Sequence, residues 1–283
     1  MAKEDYKGIW IFAEQQNGVL DPAVAELLAK AQELKAHNGE KISAVLLGCG
    51  VKQLAPALIA QGADQVIVAE NEALAAYSAR LYQQALAQLA EKYKPSIILY
   101  GATSLGRDLA PRVMVSLRTG LTADAIDLGY DEDGVFYQTT PAYGGSILAH
   151  IVILECRPQM ATVRPKIFSP LEPDASRTGE VIEEAVEVRC EDCYEVLSNE
   201  PKAVNGTPID KAPVLVCGGR GIKSEADLDM LRELASLLGG QLAASRPLVD
   251  NGWLSHDEQI GQSGASVKPG HIINVAISGS VQY

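Results

Sequence analysis

The sequence predicts an α/β protein in two domains: an N-terminal parallel-sheet domain carrying an antiparallel excursion, followed by a smaller, doubly wound domain. Three observations carry this prediction. Short apolar runs alternate with amphipathic stretches in the first part of the chain, a turn-rich set of strand-like runs occupies the middle, and a new strand–glycine–helix unit opens at Pro213. Strands that are apolar throughout and alternate with helices form parallel sheets covered on both faces.

Gly8–Ala13 (GIWIFA) reads as the first strand. Pro22–His37 places Val24, Leu27, Leu28, Ala31 and Leu34 at helical spacing, with Pro22 in the first turn and Asp21 as cap. Ile42–Leu47 is the next strand, Leu54–Gln61 a short helix ended by Gly62, and Gln65–Ala69 a third strand. A long Ala-rich helix is expected over Leu74–Tyr93 and a strand over Ser96–Tyr100. Gly101–Gly106 (GATSLG) then leads into a helix near Arg107; such a loop is either a turn with a helix cap or a ligand loop at a strand end.

In the middle, Tyr130–Thr140, Ser146–Cys156 and Gln159–Val163 read as strands of the antiparallel excursion. Lys166–Val181 reads as a connection and Glu183–Val196 as a late strand. Ser198–Ala212 is rich in Pro, Gly, Asn and charge. The expected organisation is therefore a first domain over residues 1–197, a linker over 198–212 and a second domain over 213–283. In that second domain Val214–Cys217, Gln241–Ala244 and His271–Ile277 read as strands, and Ser224–Leu238 as a helix.

Composition narrows the function. With 283 residues, 47% apolar and 21% charged, the chain can bury two cores. Its net charge of −12 repels phosphate backbones, so nucleic acid is not the expected partner. A nucleotide stays possible, because a helix N-terminus binds phosphate locally. No run is long and apolar enough to span a membrane, and the N-terminus lacks secretory or transit features, so the expected location is cytoplasmic. Five scattered cysteines fit reduced thiols, and the Cys190/Cys193 pair has no companion ligands for zinc.

The second domain carries the candidate ligand residues. GGRGIKS, with Arg220, lies between a strand and a helix and reads equally as a tight turn or a phosphate loop. Ser245 and Arg246 follow the next strand, where the arginine can hold an anionic ligand or pair with Asp250. Gln259, Gly261, Gln262 and Ser263 form a polar, glycine-spaced run, and Ser278, Gly279, Gln282 and Tyr283 follow the last strand. Polar loops at strand ends make a ligand cleft. No nucleophile–base set or metal cluster stands out, which suits a protein whose chemistry belongs to a cofactor.

Four segments, GGRGIKS, AASRPLVDNGWL, QIGQSG and AISGSVQY, in this order and spacing, resemble the FAD domain of electron transfer flavoprotein α subunits. The first domain is similar too, through IWIFAEQQNGVLDPAVAELLAKA, GATSLGRDLAPRVMVSLRTGLTADAIDL and AYGGSILAHIVILECRPQMATVRP. The resemblance implies an FAD-binding electron carrier paired with a β subunit. It implies exchange with an acyl-CoA dehydrogenase or related flavoenzyme, or with a quinone oxidoreductase, and in some members electron bifurcation from NADH. It places Arg246 over the flavin ring and the Ser263 hydroxyl at flavin N5. Ser245, Gln259, Gly261, Gln262, Ser278, Gly279 and Gln282 would line the flavin, ribityl chain or pyrophosphate, with Arg220 in support. Tyr283 stands where many members carry His beside the flavin C2 carbonyl; it can donate a hydrogen bond but cannot become cationic. Members continue beyond the position of Tyr283, so the FAD domain is expected to be incomplete relative to the family, and a flavin-free docking subunit is the alternative expectation.

Overall fold

A computed structural model describes residues 5–189, 208–261, 263–280 and 283. The chain divides into two compact units, Met1–Val196 and Leu197–Tyr283. Cys190, Cys193, Gln262 and Gln282 lie outside the described residues, as does most of the stretch expected as a late strand after Glu183.

The first unit is built on β1 (Ile9–Phe12), β2 (Gln15–Gln16), β3 (Val19–Leu20), α1 (Pro22–Asn38), β4 (Ile42–Gly48), α2 (Ala55–Ala60), β5 (Gln65–Glu70), α3 (Ala79–Tyr93), β6 (Ile97–Gly101) and α4 (Ser104–Leu117). It continues with β7 (Leu121–Ala125), β8 (Asp127–Tyr130), β9 (Phe136–Ala142), β10 (Ile147–Val152), β11 (Gln159–Val163) and β12 (Glu180–Glu183). Seven of these strands form one sheet in the order β12-β5-β4-β1-β6-β11-β7, with every pair parallel. Alternate residues feed two cores. Ile9, Ile11, Ala44, Leu46 and Leu99 pack with Val24, Leu27 and Leu28 of α1 and with Leu58 of α2. Trp10, Phe12, Val45, Leu47 and Tyr100 pack with Leu86 of α3 and Leu109 of α4. A strand buried on both faces is apolar at nearly every position, which is why β1 and β4 show no polar alternation; Ser43 in β4 is polar but accepts a hydrogen bond from Gln65 Nε2.

Local sequence explains the ends of α1. Asp21 accepts from the Ala23 amide at 2.9 Å, Pro22 needs no partner in the first turn, and Gly39 closes the helix in the left-handed region at φ 68°.

Several elements depart from the expected ones. The strand Gln159–Val163 is not part of the antiparallel excursion: β11 lies in the parallel sheet between β6 and β7, buried throughout. The excursion itself is β10-β9-β8, all antiparallel, and the expected Tyr130–Thr140 run is split by a turn after Tyr130. The late strand is β12, which begins two residues before the end of the stretch expected as a connection and forms the edge of the sheet beside β5. Helix α3 starts at Ala79, after a separate 3₁₀ turn over Glu72–Leu74, and α4 starts at Ser104 rather than near Arg107.

The second unit comprises β13 (Val214–Gly218), α5 (Asp227–Leu237), β14 (Gln241–Ser245), α6 (Arg246–Asp250), β15 (Gln259–Ile260) and β16 (His271–Val275). Its sheet runs β15-β14-β13-β16, again all parallel. Val216, Leu242 and Ala244 pack with Leu228 and Leu231 of α5 and Leu248 of α6. Leu215, Cys217 and Ala243 face the other way, toward Ile209, Ala212 and Ile260.

Candidate functional site

In the second unit the chain leaves β13 toward β14 on one side and later returns to β13 on the other side as β16. This reversal opens a crevice at the carboxyl ends of the strands, the usual ligand position in such sheets. A cleft of about 750 Å³ lies there. Arg220 enters it from the loop after β13, Ser245 and Arg246 from the end of β14, Gln259 and Ser263 from β15 and its turn, and Ser278 and Tyr283 from the segment after β16.

Arg246 opens α6, and its Nε lies 3.2 Å from Asp250 Oδ2, with both side chains more than half exposed. Arg246 thus pairs with Asp250 and also lines the cleft. An exposed pair of this kind is worth at most about 1 kcal/mol, so the guanidinium is free to turn to an anionic ligand. Ser245 stands at the N-cap position of α6 without a capping bond from its side chain.

Gln259 is buried, and its Nε2 donates to Ser263 Oγ at 2.8 Å. The serine oxygen is thus an acceptor toward the protein, which leaves its own proton for a ligand. The turn that presents Ser263 closes with Gly264 N donating to Gly261 O and Ala265 N to Gln259 O. A Cβ at Gly264 would sit 2.2 Å from that Gln259 oxygen, so only glycine fits. Gly261 and Gly279 shape the backbone beside lining residues and are not among the cleft walls themselves.

Two amides of the glycine loop after β13 are taken up within the protein. Gly219 N donates to Val275 O and Gly221 N to Ala276 O, so both tie the loop to the end of β16. A Cβ on Gly219 would approach Ala276 O to 2.3 Å. GGRGIKS is thus a tight turn, as one of its two readings expected.

Tyr283 also lines the cleft. Its hydroxyl donates to Asn274 Oδ1 at 2.5 Å and lies against the Cys217 thiol. Burial, reinforced by Cys217, pushes the phenol well above its ordinary range, so it stays neutral. The expected donation from Tyr283 to a ligand carbonyl is not made available here, because its one proton is committed to Asn274.

Pro247, Ile260, Ile277 and Ser280 complete the walls. Sequence reasoning passed over them, although each adjoins a residue it selected. The cleft therefore combines apolar flanks, four serine hydroxyls and two arginines against one aspartate, a local positive charge in a chain of net −12. A flat isoalloxazine with polar edges, a ribityl chain and a pyrophosphate fits this donor set, and the volume lies within the 300–1,000 Å³ typical of small-molecule sites.

The first unit has its own reversal, between β1 and β6, and a side chain missed from the sequence sits there. Glu14 is 4% exposed and receives a hydrogen bond from Thr103 Oγ1 at 2.6 Å. The same hydroxyl accepts from Gly106 N at 2.9 Å and caps α4, so GATSLG is a turn with a helix cap. Burial pushes the Glu14 carboxyl up to about 7, with Asp21 adding repulsion and the Thr103 bond opposing both. Among the described residues no three His, Cys, Asp or Glu side chains come together as a metal site, and no helix is long and apolar enough to cross a membrane.

Comparison with known proteins gives the family. Residues 9–188 match the family profile described as the electron transfer flavoprotein domain, and residues 208–283 match the electron transfer flavoprotein FAD-binding domain. The electron transfer flavoprotein subunit alpha of Thermoanaerobacterium thermosaccharolyticum is 44% identical over 280 residues, which covers 99% of this chain and 85% of that protein. Its counterpart in Clostridium acetobutylicum is 43% identical over 287 residues, 100% of this chain and 85% of that protein. A lactate dehydrogenase (NAD(+),ferredoxin) subunit, LctC, of Acetobacterium woodii is 40% identical over 99% of this chain and 67% of its own length. By these matches the chain belongs to the electron transfer flavoprotein α-subunit family, and its C-terminal unit is that family's FAD-binding domain.

Proposed function

We propose that this chain holds FAD in the cleft at the strand ends of its second unit, and that within an α/β heterodimer it passes electrons between flavoenzyme partners. The observation that carries the reading is the convergence of Arg246, Ser263 and Ser278 from three separate strand ends on one cleft. Bound FAD supplies the redox chemistry. The protein's share is binding and electrostatics. Arg246 is a cation that favours negative charge on the flavin and so favours its reduction. Ser263, held by Gln259, offers a hydroxyl proton to the ring edge. Ile260 and Ile277 exclude water from the flanks, while Ser245, Ser278 and Ser280 serve the ribityl and pyrophosphate groups, with Arg220 in support. Gln262 and Gln282 belong to the same proposed set by sequence.

The partners in this reading are a β subunit and an acyl-CoA dehydrogenase-type or quinone-reducing flavoenzyme. The printed name of the Acetobacterium woodii relative, with NAD(+) and ferredoxin, supports electron bifurcation as the form the activity takes. The test is to co-express the chain with a β subunit and record the visible spectrum before and after cofactor release. About one FAD is expected per α chain beyond any carried by β. Arg246→Ala is expected to weaken its binding roughly 10- to 100-fold, the worth of one charge-assisted contact. A heterodimer with no flavin on the α chain, or an Arg246→Ala, Ser263→Ala double variant with unchanged affinity, would sink the assignment.

A further inference from the structure

Two arginines line the cleft, and only one of them is answered by an acid. Arg220 forms no ion pair among the described residues, whereas Arg246 pairs with Asp250, a carboxylate that lines the same cleft. Helix stability does not account for the pair. α6 spans only Arg246–Asp250, with the cation at its first position and the carboxylate at its last. Helices favour the reverse, with acids in the first turn and bases in the last, and pairs four residues apart are better with the acid first. The position of α6 rests on other contacts. Leu248 is buried and packs with Val216 and Ala244, Asn251 N donates to Pro247 O, and Trp253 N donates to Leu248 O. The carboxylate thus stands beside the arginine against the preference of the helix, at a place where its charge is felt in the cleft.

The geometry of the pair says what that does. The contact to Asp250 Oδ2, at 3.2 Å, uses Arg246 Nε and leaves the two terminal nitrogens of the guanidinium for a ligand. A carboxylate this close to a cation cancels part of the field the cation sets up, and the serine hydroxyls among the walls carry no charge to restore it. We infer that Asp250 tempers Arg246: it holds the guanidinium by Nε and lowers the positive charge felt at the flavin, and so sets how tightly FAD is held and how strongly its reduction is favoured. Acting through Arg246, it is a positioning residue. This rests on the FAD reading above, and it adds the group that governs the arginine's effect.

The test uses the co-expressed α/β complex, stripped of FAD and reloaded. Asp250→Asn keeps an oxygen for Arg246 Nε and removes only the charge. FAD affinity is measured by fluorescence titration, and the reduction potential of FAD on the α chain by spectral titration against a reference dye, each at low and high salt. An exposed pair of this kind corresponds to at most about a fivefold effect. Asp250→Asn is therefore expected to bind FAD roughly twofold to fivefold more tightly at low salt and to raise its potential, with both gains fading as salt screens the site. Far-UV circular dichroism should be unaltered, because α6 is held by its other contacts. In an Arg246→Gln background, Asp250→Asn should move neither quantity. A gain that persists there shows the carboxylate repelling the ligand directly and overturns action through Arg246. Where that background holds FAD too weakly to titrate, the sign of the Asp250→Asn effect and its fading with salt decide. Affinity or potential that fails to rise in Asp250→Asn, or a gain indifferent to salt, overturns the inference and leaves FAD in the cleft. A wild-type complex with no FAD on the α chain instead refutes the functional reading itself.

Discussion

Replacing Glu14 by Gln should flatten the pH dependence of the first unit's stability. In the unfolded chain this carboxyl titrates near its ordinary value of 4.5, whereas in the fold burial pushes it up to about 7. Between those values the folded protein keeps a proton that the unfolded chain has released. Stability contributed by this group is fully present below about pH 4.5 and is lost as the pH rises through 7. The gap between 4.5 and about 7 corresponds to about 3 kcal/mol. Gln is neutral throughout and can still accept the Thr103 proton, so Glu14→Gln should gain up to about 3 kcal/mol over wild type at pH 8 and almost nothing at pH 4.5. Urea unfolding from pH 4.5 to pH 8 reads this directly. The two tryptophans fall in different units, so a Trp253→Phe background lets buried Trp10 report on the first unit alone. Equal slopes of stability against pH in the two proteins would show that Glu14 is ionised in the fold and refute the reasoning.

Three further outcomes follow from the same structure. Gly219→Ala forces a methyl group to within 2.3 Å of Ala276 O; a loss of about 1–3 kcal/mol, read by thermal unfolding, should come with weaker FAD binding as the wall after β16 shifts. Native alkylation with iodoacetamide, mapped by mass spectrometry, should label exposed Cys49 and Cys156 well before Cys217, which is buried and whose thiol burial pushes up. Asp64→Ala removes the acceptor shared by Lys35 Nζ, at 2.7 and 2.8 Å, and the Ile42 amide at 2.8 Å, so a denaturation midpoint equivalent to about 2 kcal/mol lower is expected.

Much of the architecture was legible because local signals and tertiary demands agree. Asp21, Pro22 and Gly39 fix the ends of α1 by local chemistry alone, and the near-continuous apolar runs of β1 and β4 suit strands buried on both faces. What failed depended on strand order. Gln159–Val163 follows two antiparallel strands in the chain, yet it inserts between β6 and β7, a slot created by partners distant in sequence. The short β7 escaped notice because only Thr122 and Ala125 in LTADA are buried and Asp124 sits at φ 56°. At the cleft, strand-end polar residues were visible as a pattern, but where their protons go was not. Whether Gly219 N faces a ligand or Val275 O, and whether Tyr283 donates outward or to Asn274, is decided by the approach of β16. Glu14 carried no signal beyond being a lone carboxylate after a strand; its hydrogen-bond partner Thr103 lies 89 positions away.

The cleft draws its walls from the ends of β13, β14 and β15 and from the segment after β16. Because side chains alternate along a strand, a slip of one residue in any pairing would turn a wall residue away from the cavity. Cofactor retention thus reads out the alignment of the whole sheet at once. The yellow colour of a preparation becomes a folding assay in its own right, able to separate correctly threaded molecules from compact misthreaded ones that circular dichroism would score alike.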